Sequence, residues 1–316
     1  SRVTVVGNNN SRTRGRIVVK GKLNEAVNYV ALSEWGMESN TSSSVSPGSN
    51  TSPETSTVGA DANFDQRHTM IRMGHKSFGS VRLGQTSEAN DGITENNFTG
   101  ASDVVYGGNT VVGNGIHLRR SNAGTGTASA VTVGSLMNSA AEGGRQDTIR
   151  YDTPTFAGFT AAGSFQADQS VSYAVRYAGK FGGIKVAAAY GGVVEGASAS
   201  GNNNSHGGSI ALGHESGFSV RMSGGISDVE AVNRDAASTI SFGAGYKANL
   251  ISAGSTNFAV DWTRNENATA NGDELDLFSI GLEQETDAGV KFYLGYQLFS
   301  AEQANGVDYD NASTVM

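Results

Sequence analysis

The sequence contains no cysteine, only three prolines, and no run of the roughly 20 apolar residues that a membrane-spanning helix needs. Without cysteine, neither a disulfide nor a thiolate metal site can form. Hydrophobic residues make up 37% of the 316 residues, below the roughly 45–50% that is usual for soluble domains. Glycine, in contrast, is abundant at 43 residues. This composition lacks the material for a large packed core.

Recognisable catalytic and cofactor-binding motifs are also missing. The five histidines, at positions 68, 75, 117, 206 and 214, have no metal-ligand spacing such as His-Glu-x-x-His. The glycines at 107–109 and 113–116 are not followed by the helix that a phosphate-binding loop requires. The net charge of −8 opposes nucleic-acid binding. We therefore expect no enzymatic activity, no cofactor and no nucleic-acid partner.

What the sequence does contain is alternation with a period of two residues. In the stretch IRYDTPTFAGFTAAGSF, Ile149 and Tyr151 alternate with Arg150 and Asp152, and the alternation resumes after the glycine turn that ends at residue 158. Such a pattern predicts a hairpin of two strands, each with one apolar and one polar face.

The same pattern recurs along the whole chain. Further segments lie at 13–22, 66–77, 79–86, 173–177, 184–190, 218–226, 240–247, 258–263, 278–283 and 290–298. With about 9–12 residues each, full strands of this kind are long enough to cross a bilayer when tilted. We expect about fourteen complete strands.

The predicted connections alternate between short and long. Short ones contain glycine at 156–158, 180–183, 215–217 and 287–289, whereas the polar regions 40–65, 192–206, 228–237, 264–273 and 300–311 are long. Short turns at one end and long loops at the other are typical of an up-and-down antiparallel barrel in an outer membrane. One face of each strand then meets lipid and the other lines water, which explains the low apolar fraction without a packed core. A soluble β-sandwich or β-solenoid is the alternative, but a sandwich would need shorter strands and a dry core. We predict a single transmembrane β-barrel domain over 1–316.

Three segments resemble the general diffusion porins of Gram-negative bacteria: NNSRTRGR (9–16), KSFGSVRLGQTS (76–87) and IRYDTPTFAGF (149–159). The resemblance implies a 16-stranded barrel in the bacterial outer membrane, assembled as a homotrimer, with the third extracellular loop folded into the lumen as a constriction. The sequence departs from this pattern at both ends. Residues 1–7 lead directly into the expected second strand, and YDNASTVM (309–316) stops where a closing strand should begin. We therefore expect the first and last strands to be missing from this chain.

The constriction loop is expected at about 87–144, where the long stretch SEANDGITENNFTGASDVVYGG begins. Its acidic residues, which we expect to lie within reach of one another, are Asp91, Glu95 and Asp103. Across the lumen, the alternation makes several arginines inward candidates: Arg14, Arg16, Arg72, Arg82 and Arg150. An acidic loop that faces a basic wall would create a transverse field at the narrowest point. Each of these charges could instead be a solvated charge away from the constriction.

These features favour a water-filled channel for the passive diffusion of small hydrophilic solutes and ions. Two alternatives remain open: a structural or adhesive barrel with a plugged lumen, and a substrate-specific channel. Outer-membrane lipid and lipopolysaccharide are the expected surroundings, and Asp308 with Asp310 could hold a bridging divalent cation. The sequence leaves open whether the channel prefers anions or cations.

Overall fold

The computed structural model describes residues 7–8, 10, 13–37, 42–44, 64–105, 112–121, 129–138, 141–196, 203–229, 234–304 and 307–316. Within these ranges the chain is almost entirely β-structure. The α-helix found there, α1, is a single turn at Val133–Leu136, and a 3₁₀ turn lies at Ser42–Ser44. No helix in these ranges is long and apolar enough to cross a membrane.

Sixteen strands follow one another in the described part of the chain. They are β1 Thr13–Lys22, β2 Val27–Met37, β3 Asp65–His75, β4 Gly79–Ser87, β5 Arg145–Asp152, β6 Phe159–Gln166, β7 Val171–Phe181, β8 Ile184–Val194, β9 Asn203–His214, β10 Phe218–Val229, β11 Ala237–Ile251, β12 Gly254–Glu266, β13 Glu274–Thr286, β14 Lys291–Gln303, β15 Val307–Asp308 and β16 Ala312–Val315.

All strands belong to one antiparallel sheet in which sequence neighbours pair from β1 through β14. The number of full strands, fourteen, is as predicted, but their lengths of 8 to 15 residues extend beyond the predicted range of about 9–12. The two short strands β15 and β16 both pair with β14, so that they lie along it one after the other. Among the described residues, no ladder joins β1 to β15 or β16.

Two of the fourteen full strands are not among the segments that the alternation singles out. β2 carries Val30 and Leu32 on the same face as Arg72 and Met70 of β3, so both of its faces are partly apolar. In β9 the glycines 207 and 208 interrupt the apolar pattern. The predicted strand at 66–77 ends at His75, and Lys76 lies in the following turn.

The two faces of the sheet differ as the alternation predicts. Aromatic side chains at or near strand ends are exposed: Tyr151, Phe156, Phe159, Phe181, Phe218 and Tyr246. Phe218 and Tyr246 pack against each other across β10 and β11 with ring centroids 4.5 Å apart. On the inner face of β12, Asp261 and Thr263 are buried, although Trp262 between them belongs to the outer face.

The connections alternate in length between the two ends of the sheet. At one end the turns are short; β7 and β8, for example, are joined by Gly182 and Gly183, whose φ values of 51° and 87° suit a two-residue hairpin turn. At the other end, the connections are longer, except for 167–170 and 304–306, the latter because the predicted long region 300–311 contains the end of β14 and all of β15. Much of the predicted loop 40–65 lies outside the described residues. The longest connection, 88–144, follows β4.

Candidate pore constriction

A row of arginines crosses the inner face of three neighbouring strands. In the sheet register, Arg72 of β3 is opposite Arg82 of β4, and Arg82 is opposite Arg150 of β5. Like charges directly opposite each other are destabilising, so the row needs compensation. Asp152 provides part of it, because its carboxylate lies 3.3 Å from Nε of Arg82 and 2.7 Å from Nη2 of Arg150.

Arginines on this wall also hold the start of the long loop. Nη1 of Arg150 donates to the backbone carbonyls of Ser87 at 3.2 Å and Glu88 at 2.6 Å. Nη2 of Arg176, on β7, donates to the carbonyls of Ala89 at 2.8 Å and Asp91 at 2.7 Å. Arg176 is not among the predicted site residues, although its alternation with Val175 and Tyr177 already placed it on the inner face. Arg150, at one end of the row, and Arg176 therefore anchor the start of the loop.

Arg14 and Arg16 lie on the edge strand β1 and are exposed. Arg16 is opposite Glu34 of β2, with Nη1 3.8 Å from the carboxylate. The same carboxylate accepts a hydrogen bond from Nε of Arg67 at 3.0 Å. Arg67 lies at a register shift between β2 and β3, which turns it toward Glu34. A sequence pattern does not reveal such a bulge, so neither Glu34 nor Arg67 was predicted.

The first arm of the loop runs along the inner wall, as predicted for an in-folded loop. The amide of Ala89 donates to the hydroxyls of Ser164 on β6 and Ser172 on β7 at 2.9 and 3.0 Å. Farther along, the hydroxyl of Ser209 on β9 donates to the carbonyl of Ile93 at 2.6 Å. Asn257 on β12 then donates to the carbonyl of Gly100 at 3.3 Å. The arm thus crosses the sheet from β6 toward β14.

The returning arm builds an apolar cluster inside the lumen, against β13 and β14. Its members are Ile116, Leu118, Val133, Leu136, Leu275, Leu277, Phe299, Ala301 and Tyr309. The hairpin-like arm is held by backbone hydrogen bonds between Leu118 and Val131 at 2.9 Å and between Val133 and Ile116 at 2.9 Å. The expectation of a lumen without a packed core is therefore wrong for this half of the molecule.

The three predicted acidic residues are not brought together. Asp91 lies beside the arginine wall, with its carboxylate 3.7 Å from Nη2 of Arg145. Asp103 lies against β14 instead, where its carboxylate is 3.4 Å from Nζ of Lys291. Glu95 is exposed on the arm between them. The prediction that all three lie within reach of one another is wrong, because the extended arm carries Asp103 across the sheet to the opposite wall.

Glu142 joins the two arms of the loop and was missed by the sequence analysis. Its carboxylate accepts hydrogen bonds from the amide of Gly92 at 2.6 Å and from the amide and hydroxyl of Thr94. Burial, together with the negative charge of nearby Glu95, raises the pKa of Glu142 to about 7. Burial also raises the pKa of Glu88, which accepts from the amide of Gly144 at 3.2 Å and from Gln146 at 3.0 Å.

The described residues contain no group of three or more histidine and carboxylate side chains that could hold a metal ion. The divalent cation predicted at Asp308 and Asp310 stays a prediction. Charges arranged in this way can orient a polar solute. Arginines on one wall and carboxylates at the edge of the loop act on any solute that passes between them.

Comparisons with known proteins agree with this geometry. A family model described as Gram-negative porin matches residues 2–305. The in-vitro folded OmpT of Vibrio cholerae, an outer membrane protein, has a TM-score of 0.58 at 12% identity, covering 97% of this chain and 88% of that chain. The anion-selective porin from Comamonas acidovorans has a TM-score of 0.56 at 13% identity and covers 98% and 86%. OmpF of Salmonella typhi, in a complex with daunomycin, has a TM-score of 0.53 at 10% identity and covers 99% and 92%. A search of the curated proteins found no match.

Proposed function

Because the chain belongs to the Gram-negative porin family, it is an outer-membrane β-barrel channel for the passive diffusion of small hydrophilic solutes and ions, and we propose that its conducting path lies along the arginine wall and prefers anions. The observation that carries this proposal is the asymmetry of the lumen. The loop packs on the inner face from β5 to β14 and leaves Arg14, Arg16, Arg72 and Arg82 of β1, β3 and β4 partly or fully exposed.

Positive charge dominates this wall. The arginines along it are Arg14, Arg16, Arg67, Arg72, Arg82, Arg145, Arg150 and Arg176. Among the described residues, the carboxylates recorded in ion pairs with them are Glu34, Asp91 and Asp152. A cleft lined by one sign of charge raises the local concentration of the opposite ion. The net charge of −8 of the chain does not decide this preference, since selectivity depends on the narrowest part of the path. The Comamonas porin carries the description anion-selective, and we propose the same preference for this chain.

Passive diffusion needs no chemical step, and we propose that the protein has no enzymatic activity. Aspartate, glutamate and arginine side chains at the constriction would act only by their charge and size. The substrate-specific alternative would require aromatic side chains along the lumen. On β14 only Tyr293 and Phe299 have such positions, and Phe299 is buried in the apolar cluster.

We further propose a homotrimer in the outer membrane, with lipid and lipopolysaccharide around it. One structure of Vibrio cholerae OmpT is described as a trimer form. On the outer face of β1 to β4 of this chain, Ile17, Val19, Trp35, Ile71 and Leu83 border a groove of about 620 Å³. This surface would lie between subunits. Mass measurement of the detergent-solubilised protein tests the assembly, and a monomer under conditions that preserve the fold would contradict it.

Single-channel recording in a planar bilayer under a KCl gradient tests the function. The proposal predicts stepwise openings of nearly ohmic conductance and a reversal potential with the sign expected of a channel that prefers chloride to potassium. A folded and inserted protein without conductance would favour the plugged, adhesive barrel, a possibility that the apolar cluster inside the lumen keeps open. A reversal potential set by potassium would contradict the anion preference while leaving the channel intact.

A further inference from the structure

A cavity of about 670 Å³ opens on the inner face at the short-turn end of β7 to β11. It lies below the loop and away from the arginine row. Three lysines from three strands line it: Lys180 on β7, Lys185 on β8 and Lys247 on β11. In barrels of this class the short turns lie on the periplasmic side, so that the cavity faces the periplasm.

The sheet register brings two of these lysines directly opposite each other. Lys180 pairs with Lys185, and directly opposed residues in an antiparallel ladder have Cβ atoms about 4.5–5.5 Å apart. The two side chains therefore leave the sheet from adjacent positions, where an anion held by both ammonium groups would offset the repulsion of their like charges. Within the ranges that the structure describes, no ion pair or side-chain hydrogen bond involves Lys180, Lys185 or Lys247. All three are exposed to the lumen.

The floor of the cavity is made of small residues. From Lys185 the register leads to Gly213 on β9, then to Ser219 on β10 and to Gly245 on β11, two residues before Lys247. Lys185 and Lys247 are thus three strand spacings apart, roughly 14 Å along the sheet. The floor leaves room for a solute between the two lysine positions.

The loop supplies an apolar contact at one side of this space. Phe98 lies against Gly213, where an added Cβ would meet the ring at 3.2 Å. One carboxylate, that of Glu215, also lines the cavity, but it lies beside Gly183 in the neighbouring turn. The lining therefore keeps a net positive charge next to an aromatic surface.

We propose that this cavity is a binding site for small dicarboxylates, with one carboxylate between Lys180 and Lys185 and the other toward Lys247. The carbon chain of the solute would lie against Phe98. The inference rests on the proposed function, because a solute reaches the site through the channel. Solutes would bind at the periplasmic end of the channel, at a site separate from the charged constriction.

The test uses the full chain in planar bilayers with succinate as the probe and acetate as the singly charged comparison. Succinate added from the short-turn side should reduce the chloride current in a saturable manner, whereas acetate should not saturate. The double variant Lys180→Gln with Lys185→Gln should raise the half-blocking succinate concentration about five-fold, the effect expected for two exposed charge contacts. Lys247→Gln, on a separate strand, should raise it to a smaller extent and serves if the double variant does not fold.

The matched control is Lys20→Gln with Lys22→Gln. Lys20 and Lys22 lie on the inner face of β1 at the same end of the sheet, but they do not line the cavity. Their substitution removes the same amount of charge as the Lys180 and Lys185 substitutions. The control should leave the half-blocking concentration within about two-fold of the unmodified protein. Equal weakening by both double variants would overturn the site in favour of a general lumen field. Normal chloride conductance without saturable succinate block would overturn the site and leave the channel function standing. A folded, inserted protein that carries no current would overturn the channel function and the site together.

Discussion

From β1 to β4 the inner wall carries arginines that the loop leaves partly or fully exposed, whereas from β5 to β14 many of the same alternating positions carry side chains covered by the loop. Arg16 shows the first situation, since 67% of its side chain is exposed. Ser279 and Phe299 show the second, with 1% and 0% exposure. Both walls come from one sheet with one alternation, so that the path of the loop decides which of these positions stay exposed.

Polar side chains buried under the loop bind one another. Arg221 on β10 donates through Nε and Nη2 to one oxygen of Asp261 at 2.9 and 2.6 Å. The other oxygen of Asp261 accepts from Ser241 at 3.0 Å and Thr263 at 3.1 Å. A buried ion pair is tolerated when its remaining hydrogen-bonding groups are satisfied. The arginine wall, in contrast, keeps positive charge that solutes can reach.

The largest expected effect comes from the apolar cluster of the covered half. Phe299→Ala removes a buried ring and should weaken docking of the returning arm by about 3–5 kcal/mol. Because proteolysis of a transiently opened segment follows its opening equilibrium, cleavage within 112–138 should accelerate by about a hundred-fold or more. The control is Phe292→Ala on the same strand, whose ring faces outward with 64% exposure. Equal acceleration by both variants would show that the cluster does not hold the loop.

The next effect is the pH dependence of the link between the two arms. The pKa of Glu142 is raised to about 7, so the folded state binds this proton more tightly than the unfolded state. The protonated carboxyl group of Glu142 therefore stabilises the folded state at low pH. This stabilisation, on the order of 2–3 kcal/mol, is lost as the pH rises through about 7. Glu142→Gln removes this titration. The Tm of the unmodified protein, relative to that of the variant, should therefore be higher at pH 5 than at pH 8. A constant difference, or the opposite trend, would contradict the role of Glu142.

A smaller effect concerns selectivity on the open half. Arg72→Gln with Arg82→Gln should reduce the anion-to-cation permeability ratio by about two-fold or more, since the local field weakens. Arg14→Ala with Arg16→Ala should shift the reversal potential in the same direction. Arg119→Gln with Arg120→Gln removes the same charge from exposed loop positions near Asp308 and should change the ratio little. The measurement is the reversal potential under a KCl gradient. An equal shift in the loop variant would attribute selectivity to total charge instead of the wall.

The smallest effect is expected for Asp91→Asn. Its ion pair with Arg145 has a separation of 3.7 Å and both side chains are partly exposed, and pairs of this kind contribute about 0–1 kcal/mol. The backbone carbonyl of Asp91 still accepts from Arg176 in the variant. We expect an unchanged Tm and a slightly higher anion preference. A large loss of Tm would show that this pair, and not the backbone contacts, anchors the loop.

Alternation in the sequence was sufficient for twelve of the fourteen full strands, their faces and the place of the long loop, because lipid on one side and water on the other impose a period of two. It was not sufficient for contacts between distant segments. The path of the loop brings Asp103 to Lys291 across 188 sequence positions, and no local pattern contains that information. One signal was available: Leu275 and Leu277 are apolar on the inner face of β13, whose outer face carries Phe278 and Ile280. A strand with two apolar faces indicates that an apolar segment of the chain covers its inner face.

The most direct test of the asymmetric lumen uses the absence of cysteine in the chain. Single cysteines are introduced as Arg16→Cys on the open half and Ser279→Cys under the loop, and a water-soluble, negatively charged thiol reagent is added during single-channel recording. The account predicts a stepwise fall in conductance for Arg16→Cys and no change for Ser279→Cys over the same period. Rapid block through Ser279→Cys, with Arg16→Cys unaffected, would place the conducting path on the opposite wall and contradict the account.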